Sequence, residues 1–187
     1  MKVLCEVSVR HVHLSEEDLQ ALFGRGELTP LKPLSQPGQY LCEERVNLVT
    51  PKGTLQNVAI IGPTRERTQV ELSMTDCFTL GLKGVPILES GNHEGSVGIV
   101  LQHGAAAVEL QRGVIIAKRH VHLDPGSATA GGFSDGQVVT VRFEGVRGGS
   151  LDNIVVRVGE NFAPAVHIDS DEANAMGFAR GEVSLLG

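Results

Sequence analysis

The pentapeptide Arg-His-Val-His-Leu occurs twice in this chain, at residues 10–14 and again at residues 119–123. The first histidines of the two copies are 109 positions apart (120 − 11), and the copies contain four of the seven histidines. Residues i and i+2 of a strand lie on the same face, so each copy places two imidazoles side by side. Paired neutral imidazoles are ligands that zinc and other transition metals prefer. The repeat therefore predicts a duplicated strand that supplies ligands to one metal ion in each copy.

The alternative is a duplicated structural strand whose histidines hydrogen-bond to backbone groups. A structural strand has no need of paired imidazoles, and this favours the metal hypothesis.

Each copy lies between a strand-like segment and a short helix. Apolar and polar residues alternate from residue 3 to His13, so we expect one continuous strand there. Ser15, followed by three acidic residues, is typical of a helix N-cap. Asp124 and Pro125 offer a cap and a first-turn proline after the second copy. The predicted unit is a strand with two histidines followed by a short capped helix.

A third, degenerate copy of this unit adds one more candidate ligand. The pattern Phe-x-x-Gly-(Glu/Gln)-(Leu/Val) occurs at residues 23–28, 133–138 and 178–183. A histidine precedes each of these phenylalanines by 10, 11 and 11 residues, namely His13, His122 and His167. His167 thus takes the place of the second histidine of a pair, and Ala165 takes the place of the first. The third copy indicates that His167 is a ligand as well.

The rest of the chain is strand-like, with Gly and Pro at the turns. The clearest further strands are predicted at residues 46–50, 58–61, 138–143 and 154–158. Many short strands, few helices and an internal duplication predict an all-β protein with short helices, folded as two similar β-barrels. We place the boundary in the glycine-rich stretch at residues 91–104, which gives domains 1–100 and 101–187.

Composition narrows the class of protein. The net charge of −6 argues against a nucleic-acid-binding surface. Three widely spaced cysteines without a Cys-x-x-Cys pattern indicate a reducing compartment and no disulfide framework. The N-terminus lacks the apolar core of a signal peptide, and no apolar run reaches 18 residues. We expect a cytoplasmic protein with no membrane partner.

A polar segment at residues 62–73 contains the remaining candidates. The planar guanidinium of Arg65 can bind phosphate through two hydrogen bonds, and Glu71 offers a hard oxygen ligand for a metal. Taken alone, the segment also fits a solvated charged loop. His93 and His103 lie in glycine-rich or polar surroundings, and we expect both at the surface.

Five segments in chain order carry a resemblance to a known family, namely residues 10–15, 62–73, 89–91, 113–123 and 167–175. They closely resemble the phosphate propanoyltransferases, or PduL-type phosphotransacylases, over nearly the whole chain. The resemblance implies two six-stranded β-barrels, a two-zinc site between them, and reversible transfer of a propanoyl or acetyl group between CoA and inorganic phosphate. Acyl-CoA, CoA, phosphate and acyl phosphate would be the partners. The doubled histidine motif makes the resemblance specific.

The resemblance also implies roles for individual residues. One zinc ion would be held by His11, His13 and Glu71. The other would be held by His120, His122 and His167. Arg65, as the catalytic residue, would bind phosphate together with Ser90. None of Cys5, Cys42 and Cys77 falls in a matched segment, so no acyl-enzyme is expected.

Localisation and assembly are less constrained. Some relatives carry an N-terminal extension that directs them into bacterial microcompartments, and only nine residues precede Arg10 here, so we expect no such extension. Association with a microcompartment and formation of a homo-oligomer both stay compatible with the sequence.

Three other classes of protein match parts of the pattern. The spacing His11-x-His13-x3-Glu17-x6-Gly24 fits a cupin, which would be a mononuclear metal dioxygenase or isomerase on a jelly roll. Against a cupin, Glu17 falls in the predicted helix, and the second copy has Gly126 in its place. A TIM-barrel amidohydrolase also begins with His-x-His, but 187 residues are too few for that fold. The non-enzymatic alternative is a zinc-stabilised binding module.

Overall fold

The computed structural model describes residues 1–187 and confirms an all-β protein with short helices. The strands are β1 (Lys2–Ser8), β2 (His11–His13), β3 (Pro30–Pro33), β4 (Tyr40–Val49), β5 (Thr54–Gly62), β6 (Gln69–Glu71), β7 (Ile87–Leu88), β8 (Val97–His103), β9 (Ala106–Ala117), β10 (His120–Leu123), β11 (Val138–Phe143), β12 (Gly149–Val158), β13 (Ala165–Asp169) and β14 (Gly181–Leu186). The helices are α1 (Glu16–Phe23), α2 (Met74–Leu80), α3 (Pro125–Gly131) and α4 (Ser170–Met176). No helix is long and apolar enough to cross a membrane.

Residues 10–117 form one compact unit around a closed ring of six strands. Strand β6 pairs in parallel with β9 and antiparallel with β2, and β2 pairs in parallel with β5. The antiparallel pairs β5–β4, β4–β8 and β8–β9 close the ring. Strands β3 and β7 add to β4 and β9 outside it. In this barrel His11 lies directly opposite Glu71.

Residues 1–9 and 118–187 form the second unit, also a closed barrel of six strands. Its ring runs β1-β13-β10-β12-β11-β14, and β14 pairs with β1 to close it. The alternation of parallel and antiparallel pairs is the same as in the first ring, with β1 in the place of β9. His120 lies opposite His167, as His11 lies opposite Glu71. The prediction of two similar six-stranded barrels is confirmed.

The two units differ from the predicted domains 1–100 and 101–187. The strand that precedes each histidine pair belongs to a different barrel from the pair itself. Strand β1 pairs with β13 and β14, whereas β9, which precedes the second pair, pairs with β6 and β8. The predicted continuous strand from residue 3 to His13 is wrong for this reason: it is interrupted at Val9 and Arg10, between strands of two barrels.

In each of the four strands that carry candidate ligands, the last ligand is followed by the same short structure. A buried Leu or Ile comes first, then a Ser or Asp N-cap, and then a helix of seven or eight residues. All four helices end at a glycine with left-handed φ, a conformation that side chains with a Cβ rarely adopt. The predicted N-caps Ser15 and Asp124 are confirmed. The buried aliphatic residue anchors each strand in its barrel core, so the ligands before it are held firmly.

Candidate metal centres

His11, His13 and Glu71 form a buried group in the barrel of residues 10–117. Each offers one ligand atom, and these atoms lie within 4.8 Å of one another. Nε2 of His11 is 3.5 Å from Glu71 Oε2, and Nε2 of His13 is 3.8 Å from Glu71 Oε1. Two ligand atoms on one tetrahedral zinc, each about 2.05 Å from the ion, are separated by about 3.4 Å. The group is therefore already close to the spacing that one metal ion requires.

His120, His122 and His167 form the equivalent group in the other barrel, again with ligand atoms within 4.8 Å. The ring centroids are 4.6–5.1 Å apart in all three pairs. Phe162 stacks on the His122 ring at 4.1 Å and covers one of its faces. Nδ1 of His122 is buried and has no hydrogen-bond partner in the protein. An unpartnered buried ring nitrogen is uncommon, and metal binding by these imidazoles gives a reason for a polar cluster at this place.

Backbone carbonyls orient one imidazole in each group. Nδ1 of His13 lies 3.1 Å from the Ile61 carbonyl, and Nδ1 of His120 lies 2.9 Å from the Lys118 carbonyl. A proton on Nδ1 makes that nitrogen the donor, and it leaves Nε2 as the lone-pair donor toward the group. Such a bond to the outer ring nitrogen is the usual support of a metal-binding histidine.

The charges in both groups suit a cation. Burial raises the pKa of Glu71, but the imidazoles of His11 and His13, a hydrogen bond from Ser90 and the Arg65 guanidinium outweigh it and lower the pKa to about 2. Burial, with the neighbouring His11 and Arg65, holds the pKa of His13 well below its ordinary value. Glu71 is therefore ionised and His13 neutral near pH 7, as metal ligation requires.

His122 in the second group is also neutral near pH 7. Burial is the main cause that lowers the pKa of His122 to about 3, and His120, His167 and Arg157 lower it further. A neutral imidazole in this group can donate a lone pair, whereas a protonated one cannot.

Arg65 and Ser90 meet beside the first group. Arg65 Nη1 donates to Ser90 Oγ at 3.0 Å, and Ser90 Oγ donates to Glu71 Oε1 at 2.7 Å. The buried Gln69 donates to both Glu71 Oε1 (2.6 Å) and Ser90 Oγ (3.0 Å), and it accepts from the Gly91 amide (2.8 Å). Gln69 was not among the predicted residues. It ties the loop that carries Ser90 to the strand that carries Glu71.

A cavity of about 320 Å³ opens beside Arg65 and the first ligand group. Its lining includes His13 and Arg65 together with the turns at Gly38 and Pro63. The backbone amide of Arg65 donates to the Leu14 carbonyl at 2.9 Å, so the loop that carries Arg65 is fixed beside β2. A larger cavity of about 500 Å³ lies elsewhere in this unit, near Lys52 and Leu80, and contains none of the candidate ligands.

The other titratable candidates lie outside the metal groups. Glu17 is exposed on α1, so it cannot complete a cupin-type set with His11 and His13. His103 is exposed as predicted, whereas His93 is half-buried, and burial, Arg67 and Arg65 lower its pKa. His93 is therefore near the arginines, which its glycine-rich sequence context did not indicate.

The three cysteines are free and buried. Burial is the main cause that raises the pKa of Cys5 to about 12 and that of Cys42 to about 11. A thiol protonated at neutral pH is a poor nucleophile, so neither cysteine is prepared for covalent catalysis.

The fold and the two groups define a class: a duplicated double-barrel protein with a three-ligand group in each barrel and an arginine–serine pair beside one of them. Residues 4–179 match the family model described as phosphate propanoyltransferase. The phosphate propanoyltransferase of Enterococcus faecalis is 50% identical over 177 residues, which cover 94% of this chain and 83% of that protein. The proteins of that name from Sebaldella termitidis (50% over 179 residues, 95% and 84%) and Thermotoga maritima (48% over 183 residues, 97% and 87%) are similar to the same extent. The chain belongs to the phosphate propanoyltransferase family, and it is an acyltransferase.

Proposed function

We propose that this chain transfers a short acyl group reversibly between CoA and inorganic phosphate, with two zinc ions bound per chain. Family membership supports the reaction. The observation that carries the metal proposal is the presence of two three-ligand groups at equivalent positions of two barrels, one fully buried and the other half-buried.

The residues present fit zinc. Two groups of nitrogen and carboxylate ligands match its preference, and three protein ligands leave a fourth position open, as in catalytic rather than structural sites. We assign one zinc ion to His11, His13 and Glu71. We assign the other to His120, His122 and His167. When bound, zinc supplies a Lewis acid that can polarise a thioester carbonyl and stabilise a thiolate.

Arg65 is our candidate for the phosphate-binding residue. It is a half-buried residue that lines the 320 Å³ cavity beside His13, so an anion there would be only partly hydrated. A guanidinium can hold two oxygens of a phosphate at once. Ser90, which bonds to both Arg65 and Glu71, would couple the position of the anion to the position of a metal ligand.

The reaction then follows from positioning. A phosphate oxygen attacks the thioester carbon, the new C–O bond replaces the C–S bond, and the electron pair leaves with sulfur as the CoA thiolate. Held in the correct geometry, the two reactants gain as much as roughly 7–11 kcal/mol from proximity and orientation. No protein nucleophile takes part, which agrees with the buried, protonated thiols of Cys5 and Cys42.

Selectivity between acetyl and propanoyl groups should be modest. The two acyl groups differ by one methylene, which is worth about 1–3 kcal/mol of discrimination in an apolar pocket.

We also propose a cytoplasmic location, which the three free cysteines support.

A thiol-release assay tests the proposed reaction. Purified protein with acetyl-CoA or propanoyl-CoA should release free thiol only when phosphate is present, and acyl phosphate should form in equal amount. Thiol release that does not depend on phosphate would indicate a thioesterase instead. Oxygen consumption with one metal ion per chain would favour a dioxygenase, and stoichiometric zinc without turnover would favour a binding module.

A further inference from the structure

The arginine that begins each Arg-His-Val-His-Leu copy makes the same contact in both barrels. Arg10 Nη2 lies 2.7 Å from Asp76 Oδ1, and Arg119 Nη1 donates to Glu172 Oε1 at 2.8 Å. Each arginine precedes the first histidine of its pair by one residue, and each acid follows the third candidate ligand, Glu71 or His167, by five residues. We call these two contacts the arginine clamps.

The second oxygen of each clamp carboxylate binds the backbone beside the third ligand. Asp76 Oδ2 accepts from the Ser73 amide at 3.2 Å, and Glu172 Oε2 accepts from the Asp169 amide at 3.0 Å. Ser73 and Asp169 are the N-caps of α2 and α4, two residues after the third ligand of each group. Each carboxylate therefore connects the strand with the histidine pair to the end of the strand with the third ligand.

The two clamps are alike although the residues around them differ. The third ligand is Glu in one barrel and His in the other, the N-cap is Ser in one and Asp in the other, and the clamp acid changes from Asp to Glu. The arginine–carboxylate distance nevertheless stays at 2.7–2.8 Å. The longer Glu172 side chain keeps the same connection as the shorter Asp76.

Helix capping alone does not explain why each of these carboxylates also contacts an arginine. The capping boxes of α2 and α4 are complete without them, because each N-cap and N3 residue already bond to each other. Helices α1 and α3 also have N-caps, yet no salt bridge involves either helix. The clamps occur only at the helices that follow a third ligand.

We propose that Arg10 and Arg119 are positioning residues that hold the third ligand of each group at metal-binding distance from the histidine pair. This inference rests on the proposed metal sites. Loss of a partner that orients a ligand typically weakens metal binding by roughly 10–100-fold, so the Arg119 clamp should matter more for metal affinity than for folding. A surface ion pair contributes little to stability, and Arg119 and Glu172 are both partly exposed.

The experiment compares zinc dissociation constants, measured by competition with a chelator, in single variants of the full chain. Arg119→Gln should weaken one of the two zinc equivalents by roughly 10–100-fold and leave the other unchanged. Arg119→Lys retains the charge and should restore most of the affinity. The matched control is Arg142→Gln in the same unit, since Arg142 is exposed on β11, a strand without candidate ligands, and donates to Ser150 Oγ there at 3.4 Å; it should have no effect.

The same design applies to the other barrel. Arg10→Gln should weaken only the zinc ion assigned to His11, His13 and Glu71, with Arg25→Gln, which breaks the Arg25–Glu44 pair, as its control. The visible spectrum of the cobalt-loaded Arg119→Gln protein should change, because one ligand is displaced, while the melting temperature of the metal-free protein stays near that of the wild type.

The outcomes separate the clamp from the metal proposal. If the wild-type protein binds two zinc ions and both arginine variants bind zinc with unchanged dissociation constants, the clamp proposal is wrong and the metal proposal stands. Equal weakening of both equivalents together with a lower melting temperature would also overturn it, because that is the result of a purely structural role. Wild-type protein that binds no zinc would contradict the metal proposal itself and remove the role of the clamp with it.

Discussion

Replacement of Arg65 by lysine should separate phosphate binding from metal binding. Lysine keeps the positive charge but presents one compact ammonium in place of a planar fork, so it cannot hold two phosphate oxygens in the same geometry. The backbone of residue 65 should keep its place, because the bond from its amide to Leu14 does not depend on the side chain. The variant should therefore change the anion site without disturbing the barrel.

The magnitude follows from the bonds that are lost. A hydrogen bond to a charged group contributes about 1.5–3 kcal/mol, and each 1.4 kcal/mol is a factor of ten in affinity. Loss of one arm of the fork should raise the phosphate KM about 10- to 100-fold. Glu71 should stay ionised, because His11, His13 and Ser90 also lower its pKa, so both zinc ions should be retained.

The assay is the phosphate dependence of thiol release at constant acyl-CoA, with zinc content measured on the same samples. Arg67→Lys is the control, because Arg67 is exposed and two residues from Arg65 on the same loop. The apparent affinity for acyl-CoA should change much less than that for phosphate. A raised phosphate KM in Arg67→Lys, with none in Arg65→Lys, would refute the assignment.

Three further substitutions test other parts of the account. His167→Ala should lower zinc content and reduce turnover by orders of magnitude, whereas His103→Ala should have almost no effect, and equal effects at both positions would contradict the ligand assignment. Cys5→Ala should keep its turnover per folded molecule, because burial keeps the thiol protonated; loss of activity in a stably folded variant would point to covalent catalysis. Leu185→Ala, at a buried core position, should cost about 2–5 kcal/mol in urea unfolding without changing zinc content, and a silent result would mean that this core is poorly packed.

The repeat in the sequence predicted the duplicated barrels but not how the strands are divided between them. The alternation of residues 3–13 is a local property, and it indicates a strand without indicating its partners. The partners of β1 are β13 and β14, more than 150 residues away in the chain, so the first nine residues complete a barrel that the sequence alone did not assign to them. Non-local pairing of this kind cannot be read from periodicity.

Most of the candidate ligands could be predicted from the sequence. One further pattern, around Glu71, was also present in it. His167 was found because it repeats the position of His13 and His122. Glu71-Leu72-Ser73 has the same form as His13-Leu14-Ser15, and Ser73 with Asp76 has the spacing of a capping box, so α2 could have been predicted as a fourth copy of the unit. It was missed because the complete pattern does not follow it: the Phe-x-x-Gly at residues 78–81 continues with Leu82-Lys83, and Phe78 is only seven residues after Glu71.

Gln69 could not have been found in this way. A glutamine in a short strand is ordinary in sequence, and its importance comes from complete burial and from bonds to residues 21 and 22 positions beyond it. The clamp contacts were equally hidden, because the arginines and their acids are 53 or more residues apart. These features depend on tertiary packing.

The zinc content of purified active protein tests the central claim most directly. Two groups of three ligands predict close to two zinc ions per chain, lost on chelation together with phosphate-dependent acyl transfer and recovered when zinc is restored. Full activity with a single zinc ion per chain, or activity that survives complete removal of metal, would contradict the account.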